Sequence, residues 1–158
     1  MRFLAALTLA AALAAGVSGA AAADALFSAR LLGNIGDQSI AGFPASRVTW
    51  TLEAGRVSLL PRGSEQAVLV VRVRRLIIPF LGSNPSPDLL ARVVCHDEAG
   101  TPFEAARTEP VEFPPSGDAT LREIIPRPRD CFAPIVLLTG SRDPDGNQPG
   151  NWFAVSSL

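Results

Sequence analysis

Ala67-Val68-Leu69-Val70-Val71-Arg72-Val73-Arg74-Arg75-Leu76-Ile77-Ile78-Pro79 is the stretch on which the reading of the fold turns. Val68 to Val71 is continuously apolar, which suggests a strand covered on both faces, while Arg72 and Arg74 then alternate with Val71 and Val73. Pro79 ends the run, because proline cannot donate to a strand ladder. Upstream, Val48, Trp50 and Leu52 share one face and two threonines the other. Glu53-Ala54-Gly55 supplies a tight turn into Arg56 to Leu60, so these segments predict a β-hairpin. Leu26 to Leu32 opens the series. Downstream, Leu89, Ala91, Val93 and Cys95 fall on one face of a strand, with Leu90, Arg92, Val94 and His96 on the other. Ala105 to Phe113, Ala119 to Ile125, Phe132 to Thr139 and Trp152 to Ser156 complete it, punctuated by Pro and Gly. The pattern predicts an all-β fold: a single antiparallel immunoglobulin-like β-sandwich of about eight or nine strands.

The start of the chain is of another kind. Met1-Arg2 precedes an apolar run from Phe3 to Val17 that ends in Ala20-Ala21-Ala22-Ala23 before Asp24. A basic start, a short apolar region and an A-x-A site are the layout of a secretory signal peptide. The run is shorter than the roughly 20 residues that span a bilayer, and no positive residue follows it until Arg30. The expected division is a signal peptide over 1–23 and a secreted, extracellular β-sandwich domain over 24–158, with no stable membrane insertion after cleavage. About 135 residues then remain, enough for one self-sufficient core and a monomer.

The whole chain carries 14 basic and 15 acidic residues, a net charge of −1. This gives no electrostatic case for a nucleic-acid partner. Every basic residue is Arg and none is Lys. Arg suits bidentate recognition of carboxylates and phosphates, although codon bias in a GC-rich genome accounts for it more simply. Cys95 and Cys131 both lie in the expected exported part, and an even count in an oxidising compartment reads as one disulfide. The rival is a metal site. The sole histidine, His96, adjoins Cys95 on a strand and points to the opposite face, so the two are poorly placed to chelate one ion. No metal or cofactor is implied.

Laid out this way, the chain resembles a family of uncharacterised exported β-sandwich proteins common in GC-rich bacteria, actinobacteria especially. The residues that carry the resemblance are Trp50, Gly55-Arg56-Val57, Val71 to Pro79, Asn84-Pro85-Ser86-Pro87 and Val94-Cys95. Cys131 to Val136 and Trp152-Phe153-Ala154-Val155 complete them. The resemblance implies a compact secreted domain and transfers no functional residue.

Candidate chemistry is sparse. His96-Asp97-Glu98 is the one place where a histidine meets carboxylates, and Asp97-Glu98-Ala99-Gly100 reads as a hairpin turn at a solvated strand end. Asp143-Pro144-Asp145-Gly146-Asn147 has the alternating oxygens that open a calcium loop. Gln148 and Ala154 stand where that motif needs glycine and a bidentate glutamate, so a plain loop is favoured. There is no G-x-S-x-G elbow. Trp50 alternates with Val48 and Leu52 and is expected in the core, whereas Trp152 follows a loop end and is the better candidate for exposure. The chain has no tyrosine, which weakens the case for a glycan-binding surface. Arg72, Arg74 and Arg75 read as a solvated sheet face that also guards an edge.

These residues point to a noncatalytic binding or interaction domain, its partner a protein, a cell-surface polymer or a small ligand. The alternatives are a secreted hydrolase using Asp97, Glu98, Asp143 or Asp145, and a structural envelope or matrix component. Loops are the expected contact surface, namely Gly82 to Asp88 and Asp143 to Trp152, with Asp143, Asp145, Asn147 and Trp152 as candidate ligand contacts.

Overall fold

Short β-branched and leucine-rich runs, broken by turn residues, have one economical solution: strands that satisfy their backbone groups in one another's ladders. A computed structural model, describing residues 25–36, 38–141 and 150–157, shows that solution. The strands are β1 Phe27–Gly33, β2 Ser39–Ile40, β3 Phe43–Pro44, β4 Ala54–Arg62, β5 Gln66–Arg74 and β6 Asp88–His96, followed by β7 Pro102–Arg107, β8 Val111–Glu112, β9 Ala119–Pro126, β10 Phe132–Thr139 and β11 Trp152–Ser156. No helix occurs among the described residues. The all-β expectation holds.

Nine strands form one antiparallel sheet in the order β7-β6-β10-β11-β1-β4-β5-β9, with β8 beside β6, while β2 and β3 pair as a separate hairpin. β1 belongs to both halves of the sheet. Its residues Phe27 to Arg30 pair with β4, and Leu31 to Gly33 pair with β11. Gly33 passes so close beneath Trp50 that a Cβ there would lie 2.1 Å from the Trp50 carbonyl oxygen. The halves enclose one core built from Leu31, Val57, Leu69, Val71, Leu89 and Leu138, among others. The layout is sandwich- or barrel-like and does not single out the immunoglobulin arrangement.

A second, smaller cluster of Ala45, Val94, Leu137 and Trp152 lies on the opposite face of β6, β10 and β11, with Ile40 and Phe43 of the β2–β3 hairpin packed against it. That cover explains why β6 is buried along almost its whole length. Arg92, only 6% exposed, is held there by Glu104 at 2.5 Å and by Thr139 Oγ1 at 3.3 Å, with its guanidinium over the Phe43 ring. Cys95 and Cys131 are joined as a disulfide with a Cα–Cα separation of 4.9 Å, as expected. Such a bond is compatible with an oxidising, extracellular location.

Three expectations about strands are corrected. Val48 to Leu52 is not a hairpin arm. Its only ladder contact is the bridge from Thr51 to Ile77, and β4 pairs instead with β5 through a turn at Gly63. Gly55 lies inside β4, where a Cβ would strike Leu52 Cδ1 at 2.5 Å and Leu31 Cβ at 2.8 Å, so it is a glycine for space and not for turning. The long run from Ala67 does not continue to Ile78. Arg75 adopts φ 51°, and its N–H leaves the ladder to donate to Asp118 Oδ1 at 2.9 Å. Finally, Ala105 to Phe113 divides into β7 and β8. Between them Thr108 exchanges bonds with Ala91, its Oγ1 accepting the Ala91 N–H at 3.0 Å.

Candidate binding groove

Of the residues expected to carry function, Asp97 and Trp152 are committed to structure. The Asp97 carboxylate accepts the N–H groups of Ala99 at 2.9 Å and Thr101 at 2.7 Å, so it holds its own turn. Gly100, at φ 80°, completes the reversal, as the sequence predicts. Adjacent His96 makes no hydrogen bond to Asp97, and its Nδ1 is enclosed without a partner among the described residues. The Gly82 to Asp88 loop is organised inward around buried Asn84. The Nδ2 of Asn84 donates to the carbonyls of Ser86 and Phe113, each at 2.9 Å. Asp143, Asp145 and Asn147 lie outside the described residues. Among the described residues, no group of three or more His, Cys, Asp or Glu is placed to hold a metal ion.

The expected exposure of Trp152 is corrected. It is 1% exposed, packed in the second cluster beneath the β2–β3 hairpin. Trp50 is buried as expected, stacked on Phe153 with ring centroids 4.3 Å apart, and its Nε1–H donates to Ser46 Oγ at 3.0 Å. Neither tryptophan offers a stacking platform to solvent.

What the fold does build is an open groove of about 900 Å³ at the seam where β1 passes from β4 to β11. Gln38 and Ile40, at the start of the β2–β3 hairpin, stand at one side and the Thr51 to Arg56 segment at the other. Two kinds of surface meet in it. Leu32, Ile35, Ile40, Leu52 and Val155 supply aliphatic lining, and Arg30, Arg56, Arg72 and Arg74 supply cationic lining, with Glu53, the partner of Arg74, among them. Leu32 and Ile35 are 54% and 75% exposed, so the groove presents aliphatic surface to solvent.

The arginines are set by strand register. Arg30 of β1 is the direct partner of Arg56 on β4, and Arg56 is the direct partner of Arg72 on β5. Directly opposed residues on antiparallel strands project to the same face, and neighbouring strands lie about 4.8 Å apart. Three guanidinium-bearing side chains therefore leave the sheet side by side over roughly 10 Å. The next row on this face confirms the registration, since Ser28 and Ser58 meet there with their Oγ atoms 3.3 Å apart. Arg74 pairs with Glu53 at 3.2 Å across an exposed contact. Among the described residues, Arg30, Arg56 and Arg72 make no ion pair.

Like charges directly opposite one another on a sheet are destabilising. In a chain of net charge −1 they are not forced by a surplus of cations. Such a row concentrates positive potential at one wall of a concave site, where planar guanidinium forks match carboxylate and phosphate oxygens. Arg72, Arg74 and Arg75 read locally as a solvated sheet face. Arg30 and Arg56 carry no local signal, because only the long-range pairing of β1, β4 and β5 brings the row together. No protein-family model, curated protein or solved structure matches the chain.

Proposed function

We propose that this chain is an exported, noncatalytic binding domain whose ligand surface is the groove over β1. The observation that carries the reading is the row Arg30–Arg56–Arg72, without acidic partners among the described residues, in the wall of a concave site. A site of this volume falls within the range of small-ligand pockets, which run from about 300 to 1,000 Å³. The groove recognises an anion. Engagement of the Asp97 carboxylate in its own turn supports binding over acid–base chemistry at His96-Asp97-Glu98. Export is supported by the signal-like stretch before Asp24 and by the disulfide.

Retention on heparin-agarose tests the reading. A protein of net charge −1 has no overall attraction for a polyanion, so retention at low salt requires a local cationic site. The expected result is retention of the wild-type protein and its loss in the folded triple variant Arg30→Gln/Arg56→Gln/Arg72→Gln. Equal elution of the two proteins overturns the proposal.

A further inference from the structure

We infer that the groove takes a single anionic amphiphile, with its carboxylate or phosphate head on the arginine row and its aliphatic chain along Leu32 and Ile35. This rests on the reading of the groove as an anion site and adds the chemistry of the rest of the ligand.

The sequence of β1 carries the argument. Its outward residues change character along the strand, from Ser28 and Arg30, on the face shared with β4, to Leu32. Residues two apart on a strand advance about 6.8 Å, so the change from cationic to aliphatic surface falls within one ligand's length. Leu32 lies directly opposite Val155 of β11, and Ile35 follows three residues on. Leu52 and Ile40 line the same groove from its two sides. A wholly polar anion satisfies the arginines but leaves these aliphatic groups in water. An uncharged chain covers them but leaves the arginines facing one another. An amphiphile meets both conditions, and burying each methylene of its chain adds to affinity.

A lone molecule fits better than a bilayer surface. Leu32 and Ile35 share one concave site with the arginine row, flanked by the β2–β3 hairpin, whereas insertion into a membrane needs a broad apolar face. Both head chemistries present oxyanions to a guanidinium fork, so they are one class for this site.

The test is titration calorimetry of the purified protein with four monomeric probes: dodecanoate, dodecyl phosphate, inorganic phosphate and uncharged dodecyl maltoside. The two alkyl anions are expected to bind about tenfold or more tighter than either the phosphate or the maltoside. Arg30→Gln/Arg56→Gln is expected to weaken the alkyl anions about tenfold or more, as loss of charge-assisted hydrogen bonds does. Leu32→Ser/Ile35→Ser is expected to weaken the alkyl anions alone and to leave phosphate unchanged. Arg62→Gln, at the far end of β4, serves as control, and thermal melts establish that each variant is folded. Equal affinity for inorganic phosphate and the alkyl anions overturns the amphiphile and leaves the anion site standing. Absence of binding by every anion overturns both readings. Capture by anionic vesicles without binding of the monomeric probes assigns the face to a membrane surface and overturns the inference.

Discussion

Removal of the Cys95–Cys131 bond is expected to cost about 4 kcal/mol, and the figure follows from where the bond sits. It closes the chain over a separation of 36 residues, and that loop contains β7, β8 and β9. Restricting the unfolded chain over a loop of this length stabilises the folded state by about 4 kcal/mol at 25 °C in the chain-entropy account. In the fold the bond adds little that pairing does not already supply, since β6 and β10 pair from Leu90–Thr139 to Val94–Ile135 and again, past a bulge, at His96–Phe132. The effect therefore acts chiefly on the unfolded state. The variant Cys95→Ala/Cys131→Ser suits the site, because Cys95 is buried and Cys131 is half-buried. With a urea slope of about 2 kcal/mol per molar, the unfolding midpoint should fall by roughly 2 M, and the slope should steepen as the uncrosslinked chain exposes more surface. Urea titration followed by tryptophan fluorescence measures both. A midpoint drop below about 0.5 M with an unchanged slope refutes the reasoning, since the unfolded chain then gains nothing on release.

Three further outcomes are expected. Gly117→Ala should destabilise by about 2–4 kcal/mol in urea unfolding, because it strains a backbone of positive φ. Its Cβ also lies 2.4 Å from the Leu76 carbonyl oxygen. Asp118, whose carboxylate accepts the Arg75 N–H and is aided by Ser116, is held below its ordinary value of 3.8. Its contribution is complete above 3.8 and is lost as the pH falls through the lower folded value, so Asp118→Asn should flatten the acid limb of a urea-midpoint against pH profile. Arg56→Gln relieves two like-charge oppositions, with Arg30 and Arg72, each worth about 0.2–1 kcal/mol. It should therefore raise the melting temperature at low salt, with a smaller gain at high salt. An unchanged or lowered melting temperature at low salt would count against the arginine row.

Much of the fold is legible in the sequence where local pattern and tertiary demand agree. β10 and β11 have the bounds that their apolar runs between turn residues predict, and β6 has the alternation that divides its two faces between two clusters. The disulfide follows from cysteine count, and the Asp97 to Gly100 turn from its residue types. The failures come from residues whose role is set by distant neighbours. Gly55 looks like a turn because nothing local shows that Leu31, on another strand, crowds it. Arg75 looks like a strand residue because its left-handed backbone depends on Asp118, 43 positions away. Trp152 looks exposed because the hairpin that buries it lies more than a hundred residues upstream. The groove is hidden for the same reason. Arg30, Arg56 and Arg72 are unremarkable apart and form a site only through the register of three strands.

The central claim is that the ligand surface is the groove over β1, and chemical-shift mapping tests it most directly. Amide and arginine side-chain resonances of the isotope-labelled protein would be followed as dodecyl phosphate is added below its micelle concentration. The account predicts the largest shifts at the side chains of Arg30, Arg56 and Arg72 and at the amides of Leu32 and Ile35, with little change at Arg62 or along β7. Shifts concentrated in the 142–149 segment or around His96, with the arginine row silent, would contradict it.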